Sequence, residues 1–121
     1  MLLALQVLLG FFALLLLYLS SQWAFATRKI AKEHQIEFNG TTGANYLKGD
    51  IGGVLLTGAV MAGLFLFHDK LWFYPIVLML ICVILHRLLS LMLDGYSKQG
   101  VIAIVVELIM IALGYGIFIL Q

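Results

Sequence analysis

From Met1 to Phe25 the chain reads MLLALQVLLGFFALLLLYLSSQWAF, with no charged side chain and only Gln6, Ser20, Ser21 and Gln22 interrupting the apolar run. A helix rises about 1.5 Å per residue and the hydrocarbon core of a bilayer is about 30 Å thick, so about 20 such residues cross it. Three more segments of this kind follow, and the expected spans are about 2–25, 46–67, 71–94 and 100–120. In the second, the solid apolar run begins at Ile51. Its start is placed earlier, near Tyr46, because Lys48 can carry its ammonium to the headgroups while its stem stays inside.

The composition of the whole chain agrees. Of 121 residues, 64% are hydrophobic and 11% charged, and the mean hydropathy is +1.11. A soluble domain holds about 45–50% apolar and about 25% charged residues, and a chain this short lacks the interior to hide the excess. Lipid is therefore the solvent. Seven Lys or Arg against six Asp or Glu give no basic field for a nucleic acid, and the lone Cys82 cannot form a disulfide within the chain. Backbone amides in lipid must be paired, and solid apolar runs lack the alternation of a barrel, so each span is helical. The fold class is all-α, an integral-membrane up-down bundle of four transmembrane helices, with residues 1–121 as one four-span domain.

Charge sets the orientation. Arg28, Lys29, Lys32, Lys48 and Lys98 mark one end of the bundle and only Lys70 the other. Positive loops stay inside, so the protein is expected in a cell inner membrane with both termini on the non-cytoplasmic side. Ala24-Phe25-Ala26 looks like a cleavage site, but the basic n-region and short apolar core of a signal peptide are absent, so the first span is expected to be retained. The turns His68-Asp69-Lys70 and Tyr96–Gly100 are short and make successive spans antiparallel neighbours. Pro75 falls in the first turn of the third span, where a missing amide hydrogen matters least. The one long connection should prolong the first helix through Arg28–Gln35, then break at Asn39-Gly40-Thr41-Thr42-Gly43. Trp72, Phe73, Tyr74, Tyr115 and Phe118 at one interface, with Trp23 and Phe25 at the other, read as an aromatic belt.

Ionisable groups inside lipid are expensive and face inward toward a partner. Asp50 starts the second span, Arg87 lies about seven residues inside the end of the third, and Glu107 about seven inside the start of the fourth. Antiparallel order brings all three to the cytoplasmic end, with Arg87 and Glu107 each about 10 Å deep. Arginine has five donors and can bridge two carboxylates, so a buried Asp50–Arg87–Glu107 cluster is expected, fringed by Asn45, His86 and Ser90. Two readings stay open, a structural clasp and direct contact with a ligand or proton. Gly49, Gly53 and Thr57 recur every four residues, the small-residue spacing of close helix packing. His34, His68 and His86 are too scattered for a metal site, and Cys82 with His86 gives only two of the four ligands of structural zinc. Neither metal nor cofactor is expected, and no catalytic residue can be assigned.

The run Asn39–Gly53, NGTTGANYLKGDIGG, followed by His86-Arg87-Leu88-Leu89-Ser90 and Glu107, resembles an uncharacterised family of small bacterial four-helix membrane proteins, a domain of unknown function, over nearly the whole chain. The resemblance implies a four-span inner-membrane protein in which Asn45, Asp50, Gly53, Arg87 and Glu107 are the marked positions, and it implies no activity. The architecture is also similar to the DoxX-like membrane proteins, without a shared residue motif.

A binding or accessory module fits the lack of a catalytic set. A proton-coupled small-solute transporter working through Glu107 is the alternative, and a membrane-embedded enzyme using Glu107, Asp50 and His86 a third. The expected partners are the lipid bilayer, a second copy or a membrane complex, and a small anionic or lipid-like ligand, but no nucleic acid.

Overall fold

The computed structural model describes residues 1–38 and 40–121. Asn39, the first residue of the expected Asn39–Gly43 turn, lies outside the described residues. Every regular element among the described residues is helical: α1 (Leu2–Phe25), α2 (Thr27–Glu33), α3 (Gly40–Leu47), a π turn (Lys48–Gly52), α4 (Gly53–Phe67), a 3-10 turn (Lys70–Trp72), α5 (Phe73–Leu93) and α6 (Lys98–Leu120). Four continuous helical runs, Leu2–Phe25, Gly40–Phe67, Lys70–Leu93 and Lys98–Leu120, are long and apolar enough to cross a membrane. The protein is an all-α four-helix bundle of the multi-pass membrane type.

α1 packs most extensively against α4 and also against α6, α5 packs against α6, and a smaller α4–α5 contact closes the ring. Leu3, Phe11, Leu14, Leu78 and Leu85 are all more than half exposed on its outside, a surface suited to lipid and costly in water. Leu9, Phe65, Phe73, Leu113 and Ile117 form the core at the end carrying the α4–α5 turn. Phe73 reaches α6 because Gly114 has no side chain: a Cβ there would stand 3.1 Å from the ring. Phe73 is thus a core residue rather than part of an interfacial belt, and the same holds for Trp23, which is buried with Ile30 and Ala31 at the opposite end. Tyr74, Tyr115 and Phe25 are exposed.

The long connection does not prolong α1. The helix breaks at Ala26 (φ −129°, ψ 42°), and α2 buries Thr27, Ile30 and Ala31. Those three share one helical face by their spacing, and burying it against Trp23 outweighs the continuity of a straight helix. Thr27 Oγ1 donates to the Trp23 carbonyl at 2.6 Å across the break. α2 ends in a Schellman motif: Ile36 N donates to Ala31 O at 2.8 Å and Gln35 N to Lys32 O at 3.0 Å. Gln35 takes the left-handed conformation (φ 59°) usually given to glycine. The expected break at Gly40–Gly43 is therefore displaced toward Gln35, and Gly40 already begins α3.

With α3 and the π turn, the second span is a 28-residue helical run, about 42 Å long at 1.5 Å per residue. That exceeds the hydrocarbon core, and α3 buries none of its residues. The other turns are capped: Asp69 Oδ1 accepts from Leu71 N at 2.8 Å, Ser97 Oγ accepts from Gly100 N at 3.1 Å, and Gly95 leaves α5 at φ 107°.

Candidate functional site

Arg87 and Glu107 meet as the antiparallel pairing of α5 and α6 requires. Arg87 Nε donates to Glu107 Oε1 at 2.8 Å. The two partners differ in exposure: the Arg87 side chain is 41% exposed and that of Glu107 11%. The expected fully buried ion pair is therefore corrected to a half-open one, with the carboxylate in the helix interface and the guanidinium at its edge. Glu107 Oε2 is buried without a hydrogen-bond partner among the described residues. Arg87 makes no other hydrogen bond among them, which leaves both terminal guanidinium nitrogens and their four N–H donors without a protein acceptor.

Asp50 does not join this pair. It is exposed on the π turn and forms no ion pair among the described residues, where Arg87–Glu107 is the only one. Two causes separate it from Arg87. The π turn packs against α1 and α4, with no substantial contact to α5 or α6. A π turn also holds more residues per turn than an α-helix, so a face extrapolated at 3.6 residues per turn is rotated away. Gly49, Gly53 and Thr57 do not form the expected packing stripe. A Cβ at Gly49 or Gly53 would meet nothing within 4 Å, and Thr57 is exposed with its Oγ1 donating to Gly53 O at 2.8 Å. The close approaches fall at Gly52, where a Cβ would lie 3.3 Å from Trp23 Cβ, and at Gly58, 3.3 Å from Leu16 Cδ1.

Of the fringe, Asn45 is exposed on α3 and takes no part. His86 and Ser90 do stand beside Arg87, on one wall of an open groove of about 980 Å³. That wall is completed by Val83 of α5 and by Gly100 and Ala103 of α6. The facing wall is Trp23 of α1 with Ile51 and Leu55 of the second span, and His34 and Ile36 close the end nearest α2. The groove exists because α4 and α5, joined by the short turn at the other end, are only lightly packed together.

Its polar groups have defined hydrogen-bonding roles. His86 Nδ1 lies 2.9 Å from Cys82 O, and His34 Nδ1 2.9 Å from Ile30 O. A carbonyl only accepts, so each Nδ1 carries the hydrogen, and in the neutral ring Nε2 keeps its lone pair. Ser90 Oγ donates to Asp94 Oδ2 at 2.9 Å. The groove thus offers guanidinium donors and imidazole acceptors above an apolar floor, an arrangement for a polar head with an apolar tail. No three His, Cys, Asp or Glu side chains among the described residues are close enough to share a metal ion.

Sequence reasoning missed His34 and Ser20. The signal for His34 was present in the spacing of Thr27, Ile30 and Ala31, which marks a buried face and so folds the connection back over the bundle. Ser20 Oγ donates to Gly52 O at 2.9 Å, buried between α1 and the π turn, and nothing in the sequence marks that carbonyl as an acceptor. Comparison of the chain with protein-family models, with curated proteins and with solved structures finds no match.

Proposed function

We propose that the protein is a binding or accessory module of a cell inner membrane, in which the groove beside Arg87 receives a small anionic amphiphile. The head would lie on the free edge of the Arg87 guanidinium and the tail along Trp23, Ile51 and Leu55. The observation that carries this reading is the half-open ion pair, in which Glu107 occupies Nε, the terminal nitrogens have no acceptor among the described residues, and Arg87 lines the groove. A clasp built only for stability gains most from two parallel hydrogen bonds between Arg and carboxylate. Here, among the described residues, the second carboxylate oxygen is unpartnered and the second guanidinium edge is free. In this reading both termini face the non-cytoplasmic side, in keeping with the basic residues of α2, Lys48 and Lys98 at the opposite end.

The test uses a fatty acid spin-labelled near its carboxyl group, and the alcohol of the same chain length, in nanodiscs of phosphatidylcholine. The acid should show an immobilised fraction that the alcohol lacks, and Arg87→Met should abolish the difference. Equal immobilisation of acid and alcohol by the unsubstituted protein would refute the proposal.

One observation favours a second reading. Glu107 Oε2 is a buried acid oxygen with no partner among the described residues, as a proton-carrying group of a small-solute transporter would need. Proton-driven uptake into liposomes should then vanish in Glu107→Gln. The enzyme reading has less support, because Asp50 does not line the groove that holds His86.

A further inference from the structure

A second cluster of charge lies outside that groove. Arg28 and Lys29 of α2 and Lys48 of the π turn line one surface pocket of about 310 Å³, together with Phe25, Phe38 and Ala44. No carboxylate reaches salt-bridge distance of any of the three cations among the described residues. Lys29 and Glu33, at helical i,i+4 spacing, do not pair. Three uncompensated positive charges around one depression repel one another, and an anion between them relieves this.

The pocket is shaped by the local fold. Arg28 Cζ stands 5.1 Å from the centre of the Phe38 ring, a cation–π contact that holds the guanidinium by its face and leaves its N–H edge for a planar or tetrahedral anion. Phe38 fits there because position 43 is glycine: a Cβ would come within 2.9 Å of Phe38 Cβ. Phe25, the last residue of α1, is 91% exposed and marks where the first span leaves the hydrocarbon. The three cations therefore sit at headgroup depth with an aromatic side chain directed to lipid beside them.

We infer that this pocket binds the phosphate of an acidic phospholipid, with Arg28, Lys29 and Lys48 around the headgroup and Phe25 against the acyl chains. The site is independent of the Arg87 groove. Basic side chains between membrane helices at an interface attract anionic headgroups, each contributing about fivefold in partition.

The chain contains two tryptophans, and Trp72→Phe leaves Trp23 as the reporter: its carbonyl accepts from Thr27 on the pocket wall while its indole lines the Arg87 groove, so the Arg87→Met variant separates quenching at the two sites. Its fluorescence is measured in phosphatidylcholine vesicles containing either dibrominated phosphatidylglycerol or dibrominated phosphatidylcholine. The acidic lipid should quench more strongly at equal mole fraction, by about a hundredfold in relative affinity, and Arg28→Gln with Lys29→Gln and Lys48→Gln should abolish the preference. Lys48→Gln alone, an exposed position whose replacement leaves the fold intact, should lower it about fivefold. Lys32→Gln and Lys98→Gln, cations of the same end that do not line the pocket, should leave it unchanged, as should Arg87→Met. Three outcomes would overturn the inference. These are equal quenching by the two lipids, an effect of Lys32→Gln as large as that of Lys48→Gln, and full displacement of the acidic lipid by millimolar inorganic phosphate, which would make it a site for soluble anions.

Discussion

In the proposed reading Arg87 carries two duties on separate edges of one guanidinium, and lysine cannot reproduce that. Its ammonium is a compact point charge, able to pair with Glu107 or to meet a ligand, but not to do both in this geometry. Arg87→Lys should therefore retain the fold while weakening acid binding in the spin-label measurement about tenfold, the loss of one charge-assisted hydrogen bond of about 1.5 kcal/mol. Arg87→Ala differs, because it strands the Glu107 carboxylate between helices; a drop in unfolding free energy of about 1–3 kcal/mol is expected in a denaturant titration in detergent. Ser20→Ala should cost about 0.6 kcal/mol, the average for a hydrogen bond between membrane helices, and stay below about 1.7 kcal/mol. The Arg87–Glu107 meeting was legible from depth counting alone, since both residues sit on regular α-helices. Asp50 was not, because the counting assumed a regular helix where the chain makes a π turn.

α2 and its Schellman turn decide what the groove-bearing end of the bundle looks like. Gln35 holds a left-handed conformation that disfavours residues with a Cβ by about 1–2 kcal/mol. Gln35→Gly should raise stability by about 0.5 kcal/mol, the gain being reduced by the larger unfolded-state entropy of glycine, with the Tm in detergent as the readout. Ile36 and His34 keep their places only while this turn holds, so the same variant should leave ligand immobilisation unaltered. Among the elements, the long spans and the two short turns were readable because apolar run length and capping residues are local signals. The return of α2 onto Trp23 was harder to read, because Arg28, Lys29, Lys32 and Glu33 dominate its composition, whereas three small or apolar residues on one face determine where it docks.

At the scale of the whole molecule, two helix pairs are tightly joined at the end bearing Phe65, Phe73 and Ile117 and part at the other. That separation creates the groove, and it explains why one wall carries the charge and the other the apolar surface. The number of spans and their antiparallel order follow from hydropathy and turn length. The separation depends on a light α4–α5 contact that no residue pattern announces. The central claim is that the Arg87–Glu107 pair serves a ligand and is not needed to hold the bundle. The double variant Arg87→Met, Glu107→Leu addresses it directly, because replacing both partners with apolar side chains of similar volume removes the desolvation penalty and is often neutral or stabilising. Its denaturant midpoint should equal or exceed that of the unsubstituted protein while the difference between immobilised acid and alcohol disappears. A stable double variant that still prefers the acid would contradict the account.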